Sequence, residues 1–181
     1  MNLLTKLLPT LLLLASCSSS LPNRDPLGEP FPQVRGESLE GTEMTIPDDL
    51  NGAPALLIVG YLQDAQFDAD RWLFGLLQSE VDVRILEIPT VRGWVPRMIS
   101  GKIDQGMRNG IPSEDWGTVV TVYDDADKVA QFTGTELGNN VRVFLLDAQG
   151  EVIWFHDRGY SAGVLIEMLE VARPLIAAQG A

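Results

Sequence analysis

Cysteine and histidine are nearly absent: the 181 residues contain one of each, Cys17 and His156. A disulfide needs two thiols, and a zinc site usually needs three or four Cys, His or carboxylate ligands, so the composition argues against both within one chain. Basic residues are scarce as well, with 13 Lys plus Arg against 25 Asp plus Glu and a formal charge of −12. Nucleic acid as a main partner would call for a basic surface. Apolar runs of membrane-spanning length are missing: the stretch ending at Leu14 falls short of the roughly 20 residues a bilayer requires, and nothing after residue 17 is apolar enough. There is no His-Glu-x-x-His and no phosphate-cradling Gly loop, so neither of these metal or nucleotide motifs is available. What is present, 45% apolar residues, suits one globular domain with a sizeable core.

The N-terminus carries an export signal. Lys6 supplies a positive start, Leu7–Leu14 an apolar stretch, and Leu14-Ala15-Ser16 a small-residue cleavage site. Leu14-Ala15-Ser16-Cys17 resembles the bacterial lipobox, in which the Cys thiol is acylated and becomes the mature N-terminus. The alternative is an ordinary secretory signal with an incidental Cys; the position of the sole Cys favours the lipobox. Residues 1–16 are then the signal peptide and 17–35 the lipidated Cys with a tether rich in Pro and Ser. Residues 36–181 form the domain, with Phe31 and Val34 expected to pack onto it. Ser18 rather than Asp after Cys17 resembles the sorting signal for the outer membrane, facing the periplasm. Triacylation would anchor the chain durably, at about 0.8 kcal/mol per buried CH₂.

The domain alternates strand and helix patterns. Gly36–Pro47 reads as a short hairpin turning at Glu40-Gly41. Ala55–Tyr61 is an unbroken apolar run, as in a central strand covered on both faces. Asp68–Ser79 is helical, with Ala69, Trp72, Leu73, Leu76 and Leu77 expected on its buried face. Val81–Pro89 is a strand, Trp94–Met107 a helix, Thr118–Tyr123 a strand and Ala126–Phe132 a short helix. Val141–Leu146 and Val152–His156 flank the turn Asp147-Ala148-Gln149-Gly150. Ser161 caps a last helix with Val164, Leu165, Met168, Ala172, Leu175 and Ile176 inward.

After the opening hairpin the order is β-α-β-α-β-α-β-β-α, which resembles the thioredoxin fold with an insertion around Trp94–Trp116. The expected fold class is α/β, a three-layer sandwich with a mixed central sheet and flanking helices. The resemblance implies a reactive Cys after the first central strand, beside a helix N-terminus that lowers its pKa. Here that position reads Gly60-Tyr61-Leu62-Gln63-Asp64-Ala65-Gln66-Phe67, with no Cys, Ser or Thr. Asn139-Asn140 stand where thioredoxin-type enzymes place a cis-Pro. Copper-delivering relatives need a Cys pair and a His, which His156 alone does not supply. Thiol-disulfide exchange, peroxide reduction and copper transfer are therefore excluded on chemistry.

Several stretches are similar to the mitochondrial assembly factors for the membrane sector of ATP synthase. They are Glu29-Pro30-Phe31-Pro32, Leu39-Glu40-Gly41, Ile46-Pro47-Asp48-Asp49-Leu50, Ile103-Asp104-Gln105-Gly106-Met107-Arg108, Val119–Tyr123 and Val143-Phe144-Leu145-Leu146-Asp147. Members of that family are thioredoxin-like in fold and act as chaperones. The resemblance implies a binding or assembly module without redox activity. An exported, lipid-anchored chain would serve a different client.

Three groups are candidate sites. Arg92–Arg108 carries Arg92, Arg97, Lys102 and Arg108 against one acid, Asp104, in an otherwise acidic chain, with Trp94, Met98, Ile99 and Met107 interleaved and Ile111 and Trp116 beyond. It reads either as a partner-docking surface built on Arg92, Trp94, Arg97, Lys102, Met107, Arg108 and Trp116, or as an ordinary helix with a solvated basic side. The docking reading extends to the Tyr61–Phe67 loop. Asp124, Asp125 and Asp127 read as a Ca²⁺ or acid/base cluster, or as the start of the Ala126–Phe132 helix; the helix start is preferred. His156 with Asp157 reads as an acid/base pair or, because adjacent strand residues point to opposite faces, as a polar loop leading into the last helix; the loop is preferred. The carboxylates Asp124 and Asp125 or His156 underlie the rival reading of an enzyme with a pocket at the strand C-termini.

Overall fold

The computed structural model describes residues 20–179; Cys17 and the signal peptide lie outside the described residues. The first strand pair, β1 (Val34–Ser38) and β2 (Glu43–Ile46), is the expected hairpin, antiparallel with Gly36 opposite Met44. β3 (Ala55–Gly60) pairs parallel with β4 (Arg84–Pro89) and antiparallel with β6 (Arg142–Leu146), which pairs antiparallel with β7 (Val152–His156). β5 (Val120–Thr121) pairs antiparallel with β1 and lies parallel beside β4 through bridges at Val119 and Val122, extending the sheet. The strand expected over Thr118–Tyr123 is therefore shorter, because Thr118 ends a 3₁₀ segment at Ser113–Thr118. Likewise β4 starts at Arg84 rather than Val81.

Helices α1 (Gln66–Ser79) and α5 (Ala162–Gln179) cover one sheet face, and α4 (Ala126–Thr133) lies on the other. Alternate residues of β3 explain the two-sided core. Leu56 and Ile58 join Trp72, Leu76, Leu165 and Met168, whereas Leu57 and Val59 join Phe31, Val129, Phe132 and Phe144. Ser161 caps α5 as expected, its Oγ accepting from Val164 N at 3.2 Å. Leu77 is a correction: it is exposed, because α1 carries apolar residues around most of its circumference and only one arc meets the sheet.

The helix expected over Trp94–Met107 is two helices. α2 (Trp94–Met98) and α3 (Ser100–Gly110) meet at Ile99, which leaves helical geometry with φ −116° and ψ 19°. β-branched Ile99, followed closely by Gly101 and Gly106, gives a low-propensity stretch in which the break is inexpensive. Met98 and Ile99, which an ordinary helix with a solvated basic side would bury, are exposed.

The Pro-rich segment is laid along the domain from Leu21 onward. Leu21 exchanges backbone and side-chain hydrogen bonds with Thr135, Arg24 N donates to Thr133 O, and Phe31 N donates to Gly150 O. Phe31 is buried edge-on between Phe132 and Phe144, with centroids 5.7 and 5.3 Å away. Such aromatic pairs add about 0.5–1.5 kcal/mol beyond area burial. Gly134 makes the close approach possible: at φ 75° and ψ 172° it occupies a region almost reserved for glycine, and a Cβ there would stand 2.2 Å from Pro22 O and 2.4 Å from Asn23 Cα. Gly134→Ala is expected to cost about 1–3 kcal/mol in backbone strain and to lift Leu21–Arg24 away. Hydrogen exchange at Arg24 N, measured against the unsubstituted protein, should lose its protection.

Candidate functional site

The C-terminal end of β3, the N-terminal ends of α1 and β6, and the end of β7 converge at one end of the sheet. Tyr61 leads out of β3, and its hydroxyl lies 2.7 Å from Thr133 Oγ1. Thr133 Oγ1 also lies 2.8 Å from Gly134 O and 3.3 Å from Val129 O, so its own proton has a carbonyl acceptor when Tyr61 donates. Burial outweighs the Thr133 hydrogen bond and the nearby Arg142 and Arg92 charges, and pushes the Tyr61 hydroxyl up to about 12. It remains protonated throughout the physiological range.

Arg142, the first residue of β6, is fully buried beneath this loop with its guanidinium 5.2 Å from the Tyr61 ring centroid. Its Nη1 donates to Asn140 O at 2.8 Å and Leu137 O at 3.3 Å; its Nη2 donates to Glu136 O and to Asn23 Oδ1 at 3.2 Å. Asn23 in turn donates to Asp157 Oδ2 at 2.9 Å, linking the buried cation to a carboxylate. Burial pushes the Arg142 pKa down, while the Tyr61 and Asp157 interactions oppose that shift. On the other side of the loop, buried Asp68 in the first turn of α1 accepts from Val141 N at 3.0 Å and Tyr160 N at 2.8 Å. These two residues, neither of them among the sequence candidates, fix the loops at this end. A charged residue inside the apolar run Val141–Leu146 was the available signal for Arg142.

The basic segment starts at the same end, where α2 follows β4. Its arginines are turned back onto the domain. Arg92 pairs with Asp127 at 2.8 Å, Arg97 pairs with Asp124 at 2.7 Å, and Arg108 donates to Leu39 O at 2.7 Å with its guanidinium 5.9 Å from the Trp116 ring centroid. Trp116 is half-buried and donates to Ile111 O, and Met107 is half-buried; Lys102 is exposed on α3. The surface left open is apolar: Trp94 is 72% exposed and Met98 65%, one turn apart on α2, with Ile99 beside them.

The same pairings account for the acidic cluster. Asp125 stands just before α4 yet makes no capping bond. Its carboxylate accepts from Arg35 N at 2.8 Å and from Lys128 Nζ at 2.9 Å, tying α4 to β1. Burial raises its pKa, but Lys128 and the Arg35 amide outweigh burial and hold it below the ordinary value. Among the described residues no group of three His, Cys, Asp or Glu side chains is placed to hold a metal ion. His156 Nε2 lies 2.9 Å from Gly159 O and its ring stacks on Trp154 at 5.9 Å, so it serves packing rather than a copper donor set. A shallow hollow of about 200 Å³ lined by Pro47, Leu50, Ala53 and Gln149 lies at the opposite end of the sheet.

Glu87, on β4 facing α1, is a half-buried carboxyl beside Gln66 and Asp70. Burial pushes its pKa up, a hydrogen bond from Gln66 opposes this, and the Asp70 charge adds to it. The folded protein therefore binds more protons at Glu87 than the unfolded chain between the ordinary value of 4.5 and the raised folded value, and stability falls as pH rises through that window. Glu87→Gln is expected to raise the urea midpoint at pH 7, with the gain vanishing below pH 4.5.

No family model matches the sequence, and no curated protein matches it. Solved structures do. The pneumococcal exposed lipoprotein thioredoxin of Streptococcus pneumoniae superposes with a TM-score of 0.52 at 11% identity, covering 77% of this chain and 98% of the other. BsSco, a member of the Sco family of cytochrome c oxidase assembly proteins, gives 0.57 at 13% identity over 83% and 96% of the two chains. The fold is thioredoxin-like. The thiol peroxidase of Chromobacterium violaceum gives 0.53 at 10% identity over 87% and 95%. At such identities the likeness extends to the fold alone. Within this thioredoxin-like fold, the Tyr61–Phe67 loop occupies the place that the resemblance assigns to the reactive Cys, and the sequence's sole Cys lies at position 17.

Proposed function

We propose that the protein is a lipid-anchored, periplasmic binding or assembly module for an envelope or membrane protein, without redox activity. The anchor is acylated Cys17, and outer-membrane placement follows from Ser18. The observation that carries the reading is the composition of the loop end. A neutral Tyr61 and a buried Arg142 fill it, no thiol is available to the domain, and the apolar edge Trp94, Met98 and Ile99 stands exposed beside it. Trp and other large apolar side chains next to paired arginines are the residue types that dominate protein interfaces. The similarity to chaperones of the ATP synthase membrane sector supports a client that is itself a membrane protein.

The client surface is the Trp94–Ile99 edge together with Phe67, which is 72% exposed at the start of α1. Purification of the full lipidated chain in detergent should yield a bound membrane protein. The Trp94→Asp/Met98→Asp variant should lose it while keeping the urea midpoint, since both side chains are solvent-facing. Retention of the same partner by that variant contradicts the assignment of this edge.

A further inference from the structure

The place where the anchored segment enters the domain constrains how the domain can stand on a membrane. Among the described residues Leu21 is the first hydrogen-bonded to the fold, and it is held at the loop end: Leu21 N donates to Thr135 Oγ1 at 2.8 Å, and Thr135 N donates back to Leu21 O at 2.8 Å. Cys17 is four residues earlier, so even a fully extended chain gives a reach of only about 14 Å. From Leu21 the chain runs away from this end, reaching Gly150 at the far turn by Phe31. Beside the entry point stand Leu62, 56% exposed, and Leu137, 62% exposed; Leu62 packs against Gly138, so the two loops meet. Asp64 and Glu136 flank them, and the arginines of this end, Arg24 and Arg158, stand beside Glu29 and Asp157.

We infer that the domain sits loop-end down, with Leu62 and Leu137 against the lipid surface of the bilayer that holds the anchor. The inference rests on the proposed acylation of Cys17. A short tether entering at this end confines it near the headgroups, and two exposed leucines with no protein cover are suited to the apolar side of the interface. The Gln149 turn is then held away from the bilayer, because β6 alone separates the ends by about 16 Å. The inference also brings the proposed client surface on α2 close to the bilayer, where a membrane protein can be met.

The test uses the lipidated full chain. Because acylation consumes the only thiol, Leu62→Cys, Leu137→Cys and Gln149→Cys each present one free thiol for an environment-sensitive fluorophore. Each labelled protein, its acyl mass confirmed and its urea midpoint checked, is placed in phosphatidylcholine vesicles containing a headgroup-nitroxide lipid. Labels at 62 and 137 should be quenched several-fold more than the label at 149. Equal quenching at all three positions, or none at 62 and 137, in a chain whose acylation is confirmed overturns the orientation and leaves the anchor standing. An unacylated Cys17 overturns both.

Discussion

Arg142→Met should lower stability by about 3–5 kcal/mol, the range for breaking a buried charged network. The substitution replaces the apolar stem with a flexible apolar chain but removes the guanidinium, leaving Leu137 O, Asn140 O, Glu136 O and Asn23 Oδ1 without their donor. Buried ion pairs can often be replaced by apolar residues because both partners are removed together. Here three of the acceptors are backbone carbonyls that no substitution can delete, so their desolvation remains. For a domain of this size, each kcal/mol moves Tm by about 2–4 °C, and the expected drop is on the order of 10 °C. Chemical denaturation with an unchanged m-value would give the number directly, and a loss below about 1 kcal/mol would show that water satisfies the carbonyls instead.

Asp68→Ala is the second large effect, at about 3 kcal/mol, since each hydrogen bond to a charged group contributes about 1.5–3 kcal/mol and its loss strands a donor. The carboxylate joins α1 to two loops at once through Val141 N and Tyr160 N. Asp68→Asn keeps the shape and one acceptor oxygen, so it should lose about half as much. Hydrogen exchange at Val141 and Tyr160 separates the two variants: both amides should lose protection in Asp68→Ala and one in Asp68→Asn. Together the two residues tie α1, the start of β6 and the loop before α5 to one another at this end of the sheet.

The elements whose local text fixes their environment were legible. Ala55–Gly60 is apolar at almost every position and is the central strand; Asp147-Ala148-Gln149-Gly150 turns as its composition requires, with Asp147 Oδ1 accepting from Gln149 N and Glu151 N at 2.9 Å. The order of elements sufficed for the fold. What was not legible depends on contacts distant in sequence. Arg142 and Asp68 are single polar residues whose partners are backbone groups of remote loops, and Asn23 reaches Arg142 from the Pro-rich segment. That segment reads as a tether by composition, yet it packs because Gly134 gives it room and Phe31 finds an aromatic cleft. The basic stretch misled in the opposite sense: its arginines meet the Asp124–Asp127 cluster that was read as a separate feature, so two surface charges of opposite sign cancel and expose the apolar residues between them.

The proposed role, holding a partner rather than transferring electrons, rests on a thioredoxin-like fold whose described residues contain no thiol and whose loop end is tied down by Arg142 and Asp68. An in vivo photocrosslinking scan tests that claim most directly, with the photoreactive residue placed at Phe67, Trp94, Met98 and, as the far-end control, Gln149. The account predicts that one membrane protein is captured from positions 67, 94 and 98 and not from 149. Capture from none of the four, or equally from all of them, would contradict it.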